Sequence, residues 1–164
     1  GGPMRLIVAG WTANHSVKWL RRIGFSPHED DGFWMAAEYR VPDAAGVDRV
    51  IETPVPIAII ATPEDGGRCP TPCEVTGIAY GHPPPPRVLL EVDEARAAEV
   101  ETHEQLGPYA WRTWRAALTL APGLHRLRVR PVDAQGRPGP AKPTWNARGY
   151  CYDGPHSIEI VVTE

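Results

Sequence analysis

Long hydrophobic runs are missing from this sequence. No apolar stretch approaches the ~20 residues that span a bilayer, so no membrane partner is expected and the chain reads as soluble. An excess of one charge is missing too: 17 Lys and Arg against 20 Asp and Glu leave a net charge of −3. That balance creates no bulk field for nucleic acid or an anionic membrane surface. Cysteine is limited to three, Cys69, Cys73 and Cys151, so at least one thiol stays unpaired within a monomer. The Cys69-x3-Cys73 spacing lacks the second Cys or His pair that a zinc site needs, and no protein-held metal is expected. Two readings of those cysteines stay open, small residues in a proline-rich turn or an incidental disulfide. No charged start or cleavage site opens the chain. Gly1-Gly2-Pro3 leads directly into an apolar run, an opening expected of the tail of something longer. Compartment is left open between periplasm and cytoplasm.

What the chain does have is proline and glycine, 19 and 16 of 164 residues, dispersed rather than clustered. This suits many short strands joined by turns better than a helical bundle. Arg5–Ala9 and Val17–Ile23 read as short strands, and residues 24–48 as irregular. From about Val50 the pattern is β. Pro56–Ala61 is an apolar run closed by the turn cluster Glu64-Asp65-Gly66-Gly67. Glu74–Tyr80 is next, then four prolines, Pro83–Pro86, expected as an exposed polyproline II connection. Arg87–Asp93 alternates like a half-buried strand. Trp111–Leu120 and Leu124–Val132 are expected to pair as a hairpin across Ala121-Pro122-Gly123. In Arg126-Leu127-Arg128-Val129-Arg130 the arginines share one face and the aliphatics the other. Ser157–Thr163 closes the sheet. Glu94–Gln105, rich in Ala and Glu, is expected to make one or two helical turns. Seven or so strands at turn spacing predict an all-β, immunoglobulin-like (E-set) β-sandwich without the Cys–Trp–Cys signature of antibody domains.

Two segments stand apart from this frame. Ser16-Val17-Lys18-Trp19-Leu20 and Trp145-Asn146-Ala147-Arg148-Gly149-Tyr150 each set a cation among aromatics, at a boundary between regular structure and loop. Lys supplies a point charge and Arg a planar fork, the two means of holding an anion in a partly dry pocket. Residue by residue, other readings compete. Lys18 could face solvent on a strand. Arg148 could stack on Trp145 and pair with Asp153, and Tyr39 could be a satisfied packing residue. His15 and His156 lie beside the two motifs without ligand spacing, which favours surface or packing roles.

Pro3-Met4-Arg5-Leu6-Ile7-Val8, Gly10-Trp11 and Ser16-Val17-Lys18-Trp19-Leu20 together resemble the end of the molybdopterin domain in the sulfite oxidase family. The remainder of the chain resembles that family's C-terminal dimerisation domain. Thr53-Pro54-Val55-Pro56-Ile57-Ala58-Ile59 is similar to its entry, Ala110-Trp111-Arg112-Thr113-Trp114 to its aromatic strand, and the stretch from Gly136 to Gly149 to its final loop. The resemblance implies residues 1–42 as a C-terminal strip of the molybdopterin-binding catalytic domain and 43–164 as the immunoglobulin-like dimerisation domain. It implies oxidation of sulfite to sulfate at a molybdenum–molybdopterin cofactor, with electrons passing to a cytochrome or another acceptor. Arg5, Ser16, Val17 and Lys18 match cofactor-binding positions; Tyr39 and Arg148 match active-site positions, Arg148 as a ligand of the oxyanion. The cysteine that ligates molybdenum and a histidine of the site belong to a segment this chain lacks. The chain alone is therefore expected to retain no cofactor and to be inactive, with the missing N-terminal catalytic domain and a second copy as its partners. Two alternatives accompany this reading: a non-catalytic immunoglobulin-like interaction module, and a family member acting on another sulfur oxyanion or nitrate.

Overall fold

The computed structural model describes residues 2–43, 45–81, 87–94, 96–103 and 106–164, with 96–99 described by backbone alone. The expected polyproline segment Pro83–Pro86 lies outside the described residues. The chain divides into two compact units, residues 1–54 with 146–151, and residues 55–145 with 152–164.

The first unit has little regular structure: a 3-10 turn at Ala13–His15, a π-helical turn at Trp34–Glu38, and strands β1 (Arg40–Pro42) and β2 (Asp48–Val50). β1 and β2 pair antiparallel, Arg40 opposite Val50. Asp43 shapes the turn between them, its Oδ1 accepting the amides of Ala45 at 2.9 Å and Val47 at 3.0 Å. Asp43 thereby does locally what a backbone turn would do. The Ile51 amide donates to the Tyr39 carbonyl at 2.9 Å, continuing the ladder by one pair.

Arg5–Ala9 and Val17–Ile23, expected as strands, are not strands. Their pairing is confined to Leu6 N–H on the Val17 carbonyl (2.9 Å) and Leu20 N–H on the Met4 carbonyl (3.0 Å). Those two bonds set Lys18 and Trp19 opposite Arg5 alone. The extra residue is taken up by Trp19 at φ 52°, a left-handed conformation that breaks a ladder.

The second unit is a β-sandwich. In chain order its strands are β3 (Ile57–Thr62), β4 (Gly67–Pro70), β5 (Cys73–Tyr80), β6 (Arg87–Val92), β7 (Arg96–Glu99), β8 (Glu101–Thr102), β9 (Arg112–Leu118), β10 (Gly123–Val132) and β11 (His156–Thr163). One sheet has the order β4-β11-β10-β6-β7 and the other β3-β5-β9-β8. All pairs are antiparallel except β11 with β4. Period-two alternation sends Val75, Gly77 and Ala79 of β5, Leu90 of β6, Leu127 and Val129 of β10, and Ile160 of β11 inward around Trp114. The arginines of β10 face out, as the alternation predicts. Arg128 donates to Glu91 at 2.5 Å, Arg130 donates to the other Glu91 oxygen, and Arg126 donates to Glu159 at 2.9 Å. Burial raises the Glu91 pKa, but the hydrogen bonds from Arg130 and Arg128 outweigh it and hold the carboxyl below its ordinary range.

Three expectations are corrected. The described residues of Glu94–Gln105 are not helical: Asp93 at φ 51° and Glu94 at φ 60° turn the chain back, and β7 and β8 pair with β6 and β9. Cross-strand pairing outweighs the weak helical propensity of Ala and Glu. The strands flanking Ala121-Pro122-Gly123 do not pair with each other. β9 lies in one sheet and β10 in the other, so the turn carries the chain across the core, to which both strands contribute buried residues. β4 adds a strand the pattern did not suggest, held to β5 by a Cys69–Cys73 disulfide with Cα atoms 5.5 Å apart. Of the two cysteine readings, the disulfide is the correct one.

Candidate functional site

The candidate site lies in the first unit and is built around the π-helical turn. Wide helical turns leave carbonyls poorly paired at their C-terminal ends, which cations satisfy. Two arginines do so here. Arg40 donates through Nη1 to the Met35 carbonyl at 3.2 Å and through Nη2 to the Asp48 carbonyl at 3.1 Å. Arg148 donates through Nη1 to the carbonyls of Ala37 and, at 2.6 Å, Glu38, with the Glu38 carboxylate at 3.7 Å. All of its side-chain contacts run through that one nitrogen, and Nε and Nη2 touch no acceptor among the described residues.

Tyr39 comes directly after as the residue ending the turn. Its ring stacks on Trp34 at 5.6 Å and meets Tyr150 at 6.0 Å. Its hydroxyl has no partner among the described residues. Segment 146–151 is itself ordered locally: Asn146 Nδ2 donates to the Tyr150 carbonyl at 2.7 Å and Asn146 Oδ1 accepts the Arg148 amide at 3.2 Å. Tyr39 and Arg148, distant in sequence, thus come together. The carboxylate partner of Arg148 is Glu38.

Arg5, Ser16, Val17 and Lys18 form a second cluster. The Ser16 amide donates to the Ala13 carbonyl at 3.0 Å, and the Ser16 hydroxyl accepts the Val8 amide at 3.4 Å. Beyond it the amides of Val17, Lys18 and Trp19 donate to no acceptor among the described residues. Arg5 and Lys18 are exposed, and neither pairs with a carboxylate there. Successive unpaired N–H groups beside two uncommitted cations are the donor types that a phosphate-like anion takes. No direct hydrogen bond or ion pair among the described residues joins this cluster to Tyr39 and Arg148. The path between them runs through Ile51, whose amide bonds the Tyr39 carbonyl and whose carbonyl receives the side chains of Thr12 (3.1 Å), Asn14 (3.2 Å) and His15 (2.7 Å).

The donor set fits the anionic end of a phosphorylated cofactor and does not fit its metal. Among the described residues no three His, Cys, Asp or Glu side chains converge as a metal site, and Cys69 and Cys73 are committed to each other.

Known proteins share parts of this sequence and fold. Residues 1–34 match the family model for the oxidoreductase molybdopterin binding domain. Mitochondrial sulfite oxidase of Homo sapiens is 26% identical over 185 residues, covering 99% of this chain and 34% of the human protein. That of Drosophila melanogaster is 28% identical over 190 residues, covering 99% and 33%. Inducible nitrate reductase [NADH] 1 of Glycine max is 26% identical over 183 residues, covering 91% and 20%. Among solved structures, the sulfane dehydrogenase SoxCD from Paracoccus pantotrophus shares the fold with a TM-score of 0.70 at 21% identity, covering 96% of this chain and 43% of that one. Across nearly its whole length the chain is thus similar to molybdopterin-binding oxidoreductases, and to sulfite oxidases among them. It spans about a third of the length of the sulfite oxidases it matches.

Sequence reasoning missed Arg40 and Ile51. Arg40 carried a signal, an arginine directly after an aromatic that ends an irregular stretch. Ile51 carried none, because it acts through its backbone.

Proposed function

We propose that this chain is the C-terminal portion of a molybdenum-cofactor sulfite oxidase- or dehydrogenase-like oxidoreductase that converts sulfite to sulfate. When bound, the cofactor supplies the oxo-transfer and two-electron chemistry. This chain's residues hold and orient. Arg5, Lys18, the Ser16 hydroxyl and the amides of Val17 and Lys18 bind the pterin and phosphate ends of the cofactor. Arg148 presents its open Nε–Nη2 edge to two sulfite oxygens, and the Tyr39 hydroxyl donates to the substrate as its charge shifts.

The observation that carries this reading is the clamp of Arg148 on the carbonyls of Ala37 and Glu38, beside Tyr39. Nη1 is committed to the backbone, while the Nε–Nη2 edge makes no hydrogen bond among the described residues and stays open to a ligand. The exposed side chains of Met4, Ile7, Trp19, Ile23 and Phe25 support residues 1–42 as a strip of a larger catalytic domain, since apolar surface of this kind marks an interface. Exposed Leu106, Trp111 and Leu124 on the sandwich support a homodimer through residues 43–164. On this reading the chain alone holds no cofactor and is inactive, and the intact enzyme passes electrons to an acceptor such as a cytochrome. The buried Cys69–Cys73 disulfide favours an oxidising compartment over a reducing cytosol.

The test is Arg148→Gln in the molybdenum-loaded full-length enzyme. The Michaelis constant for sulfite should rise about 10- to 100-fold, the worth of a charged hydrogen bond, with molybdenum content unchanged. Parallel loss of molybdenum would make Arg148 structural. The match to a plant nitrate reductase favours nitrate as the second candidate, and competition between sulfite and nitrate in the same assay separates the two.

A further inference from the structure

We infer that His15 is a positioning residue, whose Nε2–H bond to the Ile51 carbonyl sets the spacing between the Ser16–Lys18 turn and Tyr39. The inference rests on reading that turn as an anion-binding element. One residue's backbone does double duty here. The Ile51 amide is committed to the Tyr39 carbonyl at 2.9 Å, which fixes Ile51 to the residue bearing the phenol. Its carbonyl receives three side chains of the preceding turn, His15 at 2.7 Å, Thr12 at 3.1 Å and Asn14 at 3.2 Å.

A carbonyl oxygen has two lone pairs, so three donors overfill it. Thr12 has an exit, since its hydroxyl also lies 3.1 Å from the Glu52 carbonyl. His15 has the shortest bond and no alternative acceptor for Nε2 among the described residues. Donation from Nε2 requires a ring proton on that nitrogen. The ring is held from a second side by Trp11, edge-on with centroids 4.8 Å apart and planes at 80°. His15 and Asn14 are half-buried and Ile51 is buried, so the bond forms in a medium where it is stronger than in water.

Ser16 is the next residue. A shift of His15 along the Ile51 carbonyl therefore displaces the adjoining Val17 and Lys18 amides relative to Tyr39, and donor placement decides how well an anion is held. Asn14 can hold the turn near Ile51, but from a shorter side chain and at the longer distance.

The experiment separates donor from ring. His15→Phe keeps an aromatic against Trp11 and removes the donor; His15→Gln loses the ring and keeps an N–H at about the reach of Nε2. The intact chain is titrated with inorganic phosphate, monitored by amide chemical shifts of residues 16–19, with hydrogen exchange of the Ile51 amide as a second readout. His15→Phe should weaken phosphate binding about tenfold and accelerate Ile51 exchange, and His15→Gln should restore both to within about threefold. Lys18→Ala should weaken binding and leave Ile51 exchange unchanged. Wild-type behaviour of His15→Phe, or a His15→Gln variant as weak as His15→Phe, overturns the role of His15. Failure of wild type to bind phosphate, or binding unaffected by Lys18→Ala, overturns the anion-binding reading and the positioning role with it. In that case accelerated Ile51 exchange in His15→Phe would mark the bond as structural only.

Discussion

Gly77→Ala is the most severe test of how the sandwich is held together. Gly77 sits inside β5, and a Cβ built on it would lie 2.1 Å from the Ile59 carbonyl oxygen and 2.2 and 2.4 Å from Cζ2 and Cε2 of Trp114. Real Cβ contacts essentially never fall below 3.0 Å. Relief requires moving the β3 backbone, which breaks the pairing of Ile59 with Ile78 and of Ile60 with Gly77. Otherwise the indole must swing, and Trp114 is only 1% exposed, with core on every side. An overpacked core usually costs about 1–3 kcal/mol. Two unyielding neighbours at once place this substitution at about 3 kcal/mol or more. That is roughly a 150-fold fall in the folded-to-unfolded ratio, and a drop in midpoint of about 12–24 °C for a unit near 100 residues.

The assay is thermal unfolding of the chain monitored by near-UV circular dichroism, which reports the packed indole. Trp114→Phe is the control: it removes the two indole contacts and leaves the carbonyl. Gly77→Ala should therefore cost markedly less on that background, a coupling expected of touching residues. A Gly77→Ala midpoint within about 2 °C of wild type would refute the placement of Trp114 over Gly77 as the keystone of the core.

Two further outcomes are expected in the same unit. His125 donates to Asp93 at 2.7 Å and to the Ala121 carbonyl at 2.8 Å; these bonds, the first foremost, raise its pKa above 6.5 against the opposing effect of burial. Only the imidazolium donates to both acceptors, so its contribution is complete below about pH 6.5 and is lost as pH rises through the folded value. Because Asp93 is half-exposed, about 1 kcal/mol is at stake, and His125→Gln should flatten the alkaline decline of the melting midpoint; identical slopes would sink the assignment. Asp93, whose pKa is lowered first by the Arg126 amide and then by His125, adds stability above about pH 4 that is lost on acidification. For the disulfide, Cys69 and Cys73 should resist alkylation in the denatured chain until reductant is added. Reduction of the folded chain should cost about 2 kcal/mol for so short a loop, and labelling without reductant would contradict the bridge.

How far the sequence could be read depended on the range of the interaction. Alternation in Arg126–Arg130 identifies β10 and its faces correctly, because side-chain direction is set within the strand itself. The partner strand is another matter. Ala121-Pro122-Gly123 has the length and composition of a hairpin turn, yet β9 and β10 end in different sheets. Turn chemistry fixes a reversal, and whether the reversal stays in one sheet depends on where Trp114 and Leu127 find apolar neighbours. Glu94–Gln105 fails for the same reason, local propensity being overridden by pairing. At the candidate site, motif likeness points to Tyr39 and Arg148. Their junction was not legible, since it runs through the backbone carbonyls of Ala37 and Glu38, and a carbonyl is the same on every residue.

That junction bears on what an arginine must do to serve an oxyanion. A free guanidinium on a long side chain loses rotamer freedom when it binds, and that loss offsets much of the attraction. Arg148 has met this cost already, because Nη1 is seated on two carbonyls that belong to the turn ending in Tyr39. Its remaining edge is therefore ordered, and ordered relative to the phenol rather than to bulk solvent.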